Sequence, residues 1–306
     1  MIDEPVGGVL SHTALFYRSQ SEYADRIAAF VEAGLSVGEP AFIAVPGNRA
    51  IAIRASLNGV AREVAFTDMA ELGRNPARII PQVRAFTDKH PGQRIRYVGE
   101  PIWPGRSPGE ICEATRHEAL LNLAFARAHA TILCPYDAPG LAPSVLADAR
   151  RTHQEPAAAG ATAQTWRENL PPECDLPLSP PPAEAEVLPY ETDLAPVRRL
   201  VERHARRAGL GTERTVDLVL AANEIAANTI SHTSGGGVIH VWHTGGEILC
   251  QVHDAGRITD PMAGRIRHAP DGRGHGLWLV NQVCDLVELR SGAAGTTVRL
   301  HMRRAG

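Results

Sequence analysis

The chain has 306 residues, a formal net charge of −3 and an apolar share of 44%. That length suits two domains, and the apolar share is enough for each to build a core. The slightly acidic balance gives no basic field for nucleic acid, and no apolar run reaches the roughly 20 residues that span a bilayer. Met1-Ile-Asp-Glu carries no charged-then-apolar leader, so the expected setting is cytoplasmic, with neither a membrane nor a direct nucleic-acid partner. Five cysteines (Cys112, Cys134, Cys174, Cys250, Cys284) are odd in number and lack C-x-x-C pairing, so they read as reduced, mostly buried thiols.

In chain order, the first half alternates strand and helix. His12 to Tyr17 reads as a strand, and Ser21 to Gly34 as a helix with Ser19 or Ser21 as its cap. Pro40 to Val45 is a short apolar run suited to a buried parallel strand, followed by a helix from Arg49 to Leu57 and a strand from Glu63 to Thr67. A helix from Asn75 to Lys89, with Pro76 in its first turn, precedes a strand from Arg94 to Val98. Pro108 to Ala128 reads as a long helix, Thr131 to Cys134 as a strand and Pro143 to Arg151 as a last helix. Five β–α repeats predict an α/β fold with a parallel sheet covered on both faces.

Function on such a sheet lies at the carboxyl ends of its strands. The loops expected there carry Arg74 and Asn75, then Glu100, Trp103 and Arg106, then Tyr136 and Asp137, and His117 lies on the helix between the last two loops. Ordinary turns seldom combine Trp103, Arg106 and Tyr136, so these residues point to a small-molecule pocket. His12 and His117 stand at no ligand spacing, and no metal site is read in this half. No G-x-x-x-x-G-K-[ST] motif occurs, which excludes a phosphate loop.

Residues 8–153 resemble the MEDS sensory domain, named for methanogens, methylotrophs and a dichloromethane regulator. The matching stretches are His12 to Tyr17, Glu39 to Phe42, Asp68 to Pro76, Gly99 to Arg106, Arg116 to Asn122 and Cys134 to Asp137. The resemblance implies a RecA- or KaiC-like fold without a phosphate loop, and a ligand-sensing role in which His12 and Tyr17 join the pocket residues above. It does not identify the ligand.

Residues 154–185 are rich in proline and alanine, and the Pro180-Pro-Pro182 run favours extended polyproline geometry, so they read as a semi-rigid linker. Leu194 to Ala208 follows as a helix with Arg198, Arg199, Arg203, Arg206 and Arg207 on its wet sides, either solvated surface or a face for a partner. His204 in this helix has no surrounding heptads to make it a phosphoacceptor.

The next helix carries Leu218, Ala222, Ile225 and Ala226 at helical intervals. Glu224 and Asn228 stand four apart on one face of it, where a carboxylate can act as a base and an amide oxygen can ligate Mg²⁺. Glu118 and Asn122 repeat this spacing by chance, so the sequence downstream decides its meaning. There, Asp254 and Gly256 follow an alternating strand, and Gly272-Arg273-Gly274-His275-Gly276-Leu277 forms a glycine turn running into an apolar helix from Leu277 to Leu286. Gly295-Thr296-Thr297 closes the series. Such a turn aims free backbone N–H groups at an anion.

These four elements, in this order, resemble the GHKL (Bergerat-fold) ATPases over residues 186–306, and among them the bacterial serine-kinase anti-sigma factors. The resemblance implies an α/β sandwich, with helices on one face of a mixed sheet, that binds ATP and Mg²⁺. Glu224 would be the catalytic base and Asn228 the Mg²⁺ ligand. Asp254 would bond the adenine amine above Gly256. Gly272, Arg273, Gly274, His275, Gly276 and Leu277 would line the phosphates, and Thr296 or Thr297 would close the adenine pocket. The family's acidic motif often has a second glycine where this chain has Ile258, which puts the hinging of the lid between Ile258 and Asp271 in question. The implied activity is an ATP-dependent protein serine kinase that regulates transcription by partner switching. It would phosphorylate a STAS-domain anti-anti-sigma protein, sequester a sigma factor and pair as a homodimer. The alternative is an inactive, nucleotide-gated module that sequesters a partner without transferring phosphate.

Overall fold

The computed structural model describes residues 10–57, 59–153, 166–233, 235–266 and 275–304. The chain divides into two compact units, residues 1–174 and 175–306.

The first unit runs β1 (Ser11–Tyr17), α1 (Gln20–Leu35), β2 (Ala41–Val45), α2 (Gly47–Ser56), β3 (Ala65–Asp68), α3 (Met69–Leu72), α4 (Ile79–Asp88), β4 (Ile95–Gly99), α5 (Pro108–Ala124), β5 (Ala130–Asp137), α6 (Pro143–Thr152) and α7 (Pro172–Asp175). The five strands form one sheet in the order β1-β5-β4-β2-β3, with every pairing parallel. The expected parallel α/β sheet is what forms. Strand alternation sorts the side chains into two layers. Leu15, Tyr17, Ile43, Val45 and Val98 pack with Tyr23, Ile27 and Val31 of α1 and Ile53 of α2. On the other face Phe42 stacks on Phe86 of α4, and His12 reaches α5. Ser19 caps α1 by accepting from the Glu22 N–H, and Ser107 with Glu110 makes a capping box on α5.

Three sequence expectations change here. The helix expected over 75–89 begins as a 3₁₀ turn, Pro76–Arg78, because the Asn75 side chain accepts from the Ala77 N–H and holds the chain in a tight entry. β5 runs through Pro135 to Asp137. Its pairing with β4 ends at Leu133, so a residue without an N–H is tolerated beyond that point. Cys112 and Cys174 form a disulfide, which corrects the reading of five reduced thiols. The partners are 62 residues apart and meet only because α5 and α7 meet, a proximity that spacing does not encode. Part of the expected linker therefore belongs to the first unit: Leu170 and Cys174 are buried there, and Arg116 of α5 donates to the Cys174 carbonyl at 2.6 Å.

The second unit runs β6 (Glu186–Tyr190), α8 (Ala195–Arg207), α9 (Thr212–His232), β7 (Gly237–Thr244), β8 (Glu247–Asp254), α10 (His275–Val283), β9 (Leu286–Gly292) and β10 (Gly295–Arg303). The strand order is β6-β7-β8-β10-β9, and every pairing is antiparallel, which corrects the expected mixed sheet. Tight hairpins explain it: Gly245 and Gly246, both at positive φ, join β7 to β8, and a second hairpin joins β9 to β10. Leu200, Leu218, Ala222, Ile225 and Val280 of the helices pack on Ile239, Val241, Cys250, Val252, Val298 and Leu300 of the sheet, giving the two-layer sandwich. α10 ends at Val283, earlier than expected, because Leu286 already opens β9. Among the described residues no helix is long and apolar enough to cross a membrane.

Candidate functional site

In the second unit a cavity of about 460 Å³ opens between α9, the end of β8, the segment 256–264 and the start of α10. Asn228, Asp254, Gly256, Gly276, Leu277 and Thr296 all line it, so side chains distant in sequence meet at one place. α9 turns Leu218, Ala221, Ala222, Ile225, Ala226 and Thr229 into the core. That leaves Glu224 and Asn228 off the core face, one turn apart, with Asn228 lining the cavity. A β-carbon added to Gly276 would lie 2.8 Å from Glu224 Oε2, 3.5 Å from Asn228 Nδ2 and 3.6 Å from Asn228 Oδ1, so the three residues are in contact range. Among the described residues nothing hydrogen-bonds to the Glu224 carboxylate or the Asn228 carboxamide. Replacing Gly276 with alanine is therefore expected to keep the fold but push the Glu224 carboxylate aside. Unchanged melting with a displaced Glu224 carboxylate in the crystal structure of the variant would show this; an unmoved carboxylate would refute it.

At the other end of the cavity Asp254 is held by two donors. The Gly256 N–H reaches its Oδ1 and the Thr229 hydroxyl its Oδ2, both at 2.7 Å. Tyr190 donates to that hydroxyl at 3.0 Å, so a Tyr190–Thr229–Asp254 relay fixes the carboxylate. The segment 256–258 is held by a second relay. The Ile258 N–H donates to Ser291 Oγ, Ser291 pairs with Thr296 Oγ1 at 2.8 Å, and Thr296 donates to the Gly256 carbonyl. Strand alternation separates the two threonines: Thr296 faces the cavity, whereas Thr297 pairs with His253 on the exposed side. Tyr190, Thr229 and Ser291 escaped the sequence reading because nothing marks a relay before the strands are paired. Gly272, Arg273 and Gly274 lie outside the described residues. His275 opens α10. His204 is bound to Glu186 at 2.7 Å and to His243 at 2.9 Å, which leaves neither ring nitrogen free.

In the first unit the ten residues expected to share one pocket fall into three places. Tyr17, Glu100 and Asp137 meet at the carboxyl ends of β1, β4 and β5, beside a cavity of about 330 Å³ that Tyr17 and Asp137 line with Arg18, Asn48 and Arg49. Glu100 is buried beneath it, accepting from Tyr23 at 2.7 Å, from Tyr17 at 3.1 Å and from Arg49. Arg49 also lies 3.5 Å from Asp137. Arg49 and Tyr23 went unread because each looks like an ordinary helix residue. Arg74, Asn75, Trp103 and Arg106 hold loops in place instead. Asn75 caps a turn, Arg74 pairs with Glu71, and Arg106 stacks on Trp103 while donating to the Pro101 and Gly73 carbonyls. His12, His117 and Tyr136 are buried under the sheet's other face or within α5.

Burial raises the Glu100 carboxyl from 4.5 to about 7, against the pull of Arg49, Tyr23 and Tyr17 toward the charged form. Between those two values the folded chain holds a proton that the unfolded chain releases, so stability falls as pH rises through the window and levels off above it. Glu100→Gln should remove this slope, of about 3 kcal/mol. Melting curves from pH 4.5 to 8 check it, and parallel wild-type and variant profiles would refute it.

The MEDS family model (MEthanogen/methylotroph, DcmR Sensory domain) matches residues 11–154, and the Histidine kinase-like ATPase domain model matches residues 189–302. No curated protein matches the chain. The first match spans the whole parallel sheet, and the second spans α8 to β10 with the cavity between Asp254 and Gly276. The chain thus joins a MEDS sensory domain, residues 11–154, to a histidine kinase-like ATPase domain, residues 189–302.

Proposed function

We propose that this protein is an anti-sigma regulatory factor whose ATPase domain binds ATP with Mg²⁺ and phosphorylates a serine of a STAS-domain anti-anti-sigma protein. One observation carries the reading: Asp254, Gly256 and Thr296 share a single cavity of about 460 Å³, the size of a small-molecule site, with Asn228 and Gly276, and the Glu224 carboxylate stands beside Gly276. Asp254 offers an acceptor for an exocyclic amine, and Gly256, which lines the same cavity and has no side chain, would leave room for a flat ring. Asn228 offers a hard amide oxygen with no partner among the described residues, which suits a divalent cation. Magnesium bound there would neutralise phosphate charge. Glu224 would take the proton from the attacking serine hydroxyl as the γ-phosphoryl group passes to that oxygen and ADP leaves.

The MEDS domain supplies the input in this scheme. Its cavity over Arg49, Arg18 and Asp137 suits a small polar molecule with an anionic or hydrogen-bond-accepting group. Switching a partner from nearly off to nearly on requires about 5.5 kcal/mol of differential binding. Ligand and ATP acting together reach that more readily than a small ligand alone, so the control is graded. Calorimetric titration of the full chain with ATP and Mg²⁺ tests the first step, and absence of heat at millimolar nucleotide refutes it. Labelled ATP with a candidate STAS protein tests the second: transfer supports the kinase, and binding without transfer leaves a sequestering module.

A further inference from the structure

Beneath the first sheet, away from the cavity over Arg49, four side chains of metal-ligating type converge in a fully buried space. They are His12 on β1, Cys134 on β5, Glu118 on α5 and His153 just past α6. One ligand atom from each lies within 4.8 Å of every other. Glu118 Oε2 is the centre of the group: His12 Nε2 stands 3.1 Å from it, Cys134 Sγ 3.3 Å and His153 Nε2 3.4 Å, and His12 Nε2 is 3.3 Å from Cys134 Sγ. A tetrahedral ion with bonds of about 2.0–2.3 Å sets its ligands roughly 3.3–3.8 Å apart, so small adjustments suffice.

The hydrogen-bond network determines which atoms face this centre. The Asn122 amide donates to the Thr152 carbonyl at 2.9 Å, so its oxygen faces His12 Nδ1, also at 2.9 Å. His12 Nδ1 therefore carries the proton. His153 Nδ1 lies 2.7 Å from the Ala149 carbonyl, an acceptor only, so it carries its proton too. In the neutral rings both Nε2 lone pairs then point at one carboxylate oxygen and a sulfur. The 3.4 Å approach of His153 Nε2 to Glu118 has no hydrogen-bond geometry, and both that nitrogen and Glu118 Oε1 lack a hydrogen-bond partner. Among the described residues the Cys134 thiol, which donates to Glu118 Oε2, is the one donor facing these acceptors, and acceptors left over in a dry space are destabilising unless a cation sits among them.

We propose that His12, Glu118, Cys134 and His153 form a closed site for one borderline transition-metal ion, Zn²⁺ by ligand type. A carboxylate and a thiolate balance the two positive charges, so the ion is neutralised where no water reaches. Binding releases the Cys134 thiol proton to solvent. Asn122 and the Ala149 carbonyl hold the two imidazoles in the ligating tautomer, the usual outer support of a metal site. The ion ties the end of α6 to β1, β5 and α5, so metal occupancy controls how the last turn of this domain is held.

The test uses the untagged full chain, stripped with chelator and then given Zn²⁺ or Co²⁺. About one zinc per chain should be retained after dialysis, and the cobalt form should show thiolate-to-metal charge transfer with tetrahedral d–d bands. Cys134→Ser should abolish the charge-transfer band, and Asn122→Ala should weaken zinc binding about 10- to 100-fold. If Cys134→Ser does not fold, the wild-type cobalt spectrum and Asn122→Ala decide. A folded wild type that retains no zinc, a cobalt form without a thiolate band, or zinc binding unchanged in folded Cys134→Ser each overturns the proposal. None of these readings depends on nucleotide binding.

Discussion

Glu224→Ala should lower phosphoryl transfer to the STAS serine by about 10²- to 10⁴-fold, the worth of a positioned general base, while ATP still binds with nearly wild-type affinity. The split follows from the cavity. Asp254, Gly256 and Thr296, which we propose recognise the base of the nucleotide, are held by hydrogen-bond relays through Tyr190, Thr229 and Ser291 that do not include Glu224. Asn228→Ala should differ, losing transfer together with the magnesium dependence of binding. Quenched-flow transfer assays beside calorimetry separate the two variants. Equal transfer by wild type and Glu224→Ala would remove the base from the mechanism.

Gly295→Ala should destabilise the ATPase domain by about 3 kcal/mol or more and weaken nucleotide binding as well. Gly295 sits at φ +108° at the start of β10, a conformation that an L side chain rarely adopts. An added β-carbon would meet the Asp254 backbone carbonyl at 2.1 Å, and backbone cannot swing away as a side-chain tip can. Relief requires β8 and β10 to separate where Thr296 pairs with Asp254, both of which line the cavity. Gly292→Ala, directly across the hairpin, meets nothing within 4 Å and has an ordinary φ. It should shift stability by roughly 0.5 kcal/mol or less. Denaturant unfolding of both variants checks the contrast, and equal midpoints would refute it.

Two fully buried carboxylates of the MEDS domain, Glu100 and Glu118, differ in setting. Glu100 faces the protein's Arg49 and two phenols, and its carboxyl is raised. Glu118 lies with His12, Cys134 and His153 in a fully buried cluster and accepts from the Cys134 thiol at 3.3 Å. The same residue type thus serves a titratable pocket floor in one place and a member of a buried ligand cluster in the other.

Periodicity determined the parallel first sheet, motif order carried the resemblances that gave the two domain types, and spacing singled out Glu224, Asn228, Asp254, Gly256 and Gly276. Each depends on short-range spacing, such as one helical turn between Glu224 and Asn228 or a strand end before Asp254, and that spacing survives folding unchanged. Alternation also held information left unread: His12 and Tyr17 are five apart on one strand, an odd number, so they must face opposite sides of the sheet. Only the tertiary structure decided the rest. Arg49 with Glu100, Tyr190 with Asp254 through Thr229, Cys112 with Cys174, and His12 with Glu118, Cys134 and His153 are joined across 51 to 141 residues by strand order and helix packing. The strand order β1-β5-β4-β2-β3 brings the chain's first strand beside its last in that sheet, and no local pattern of residues specifies such a pairing.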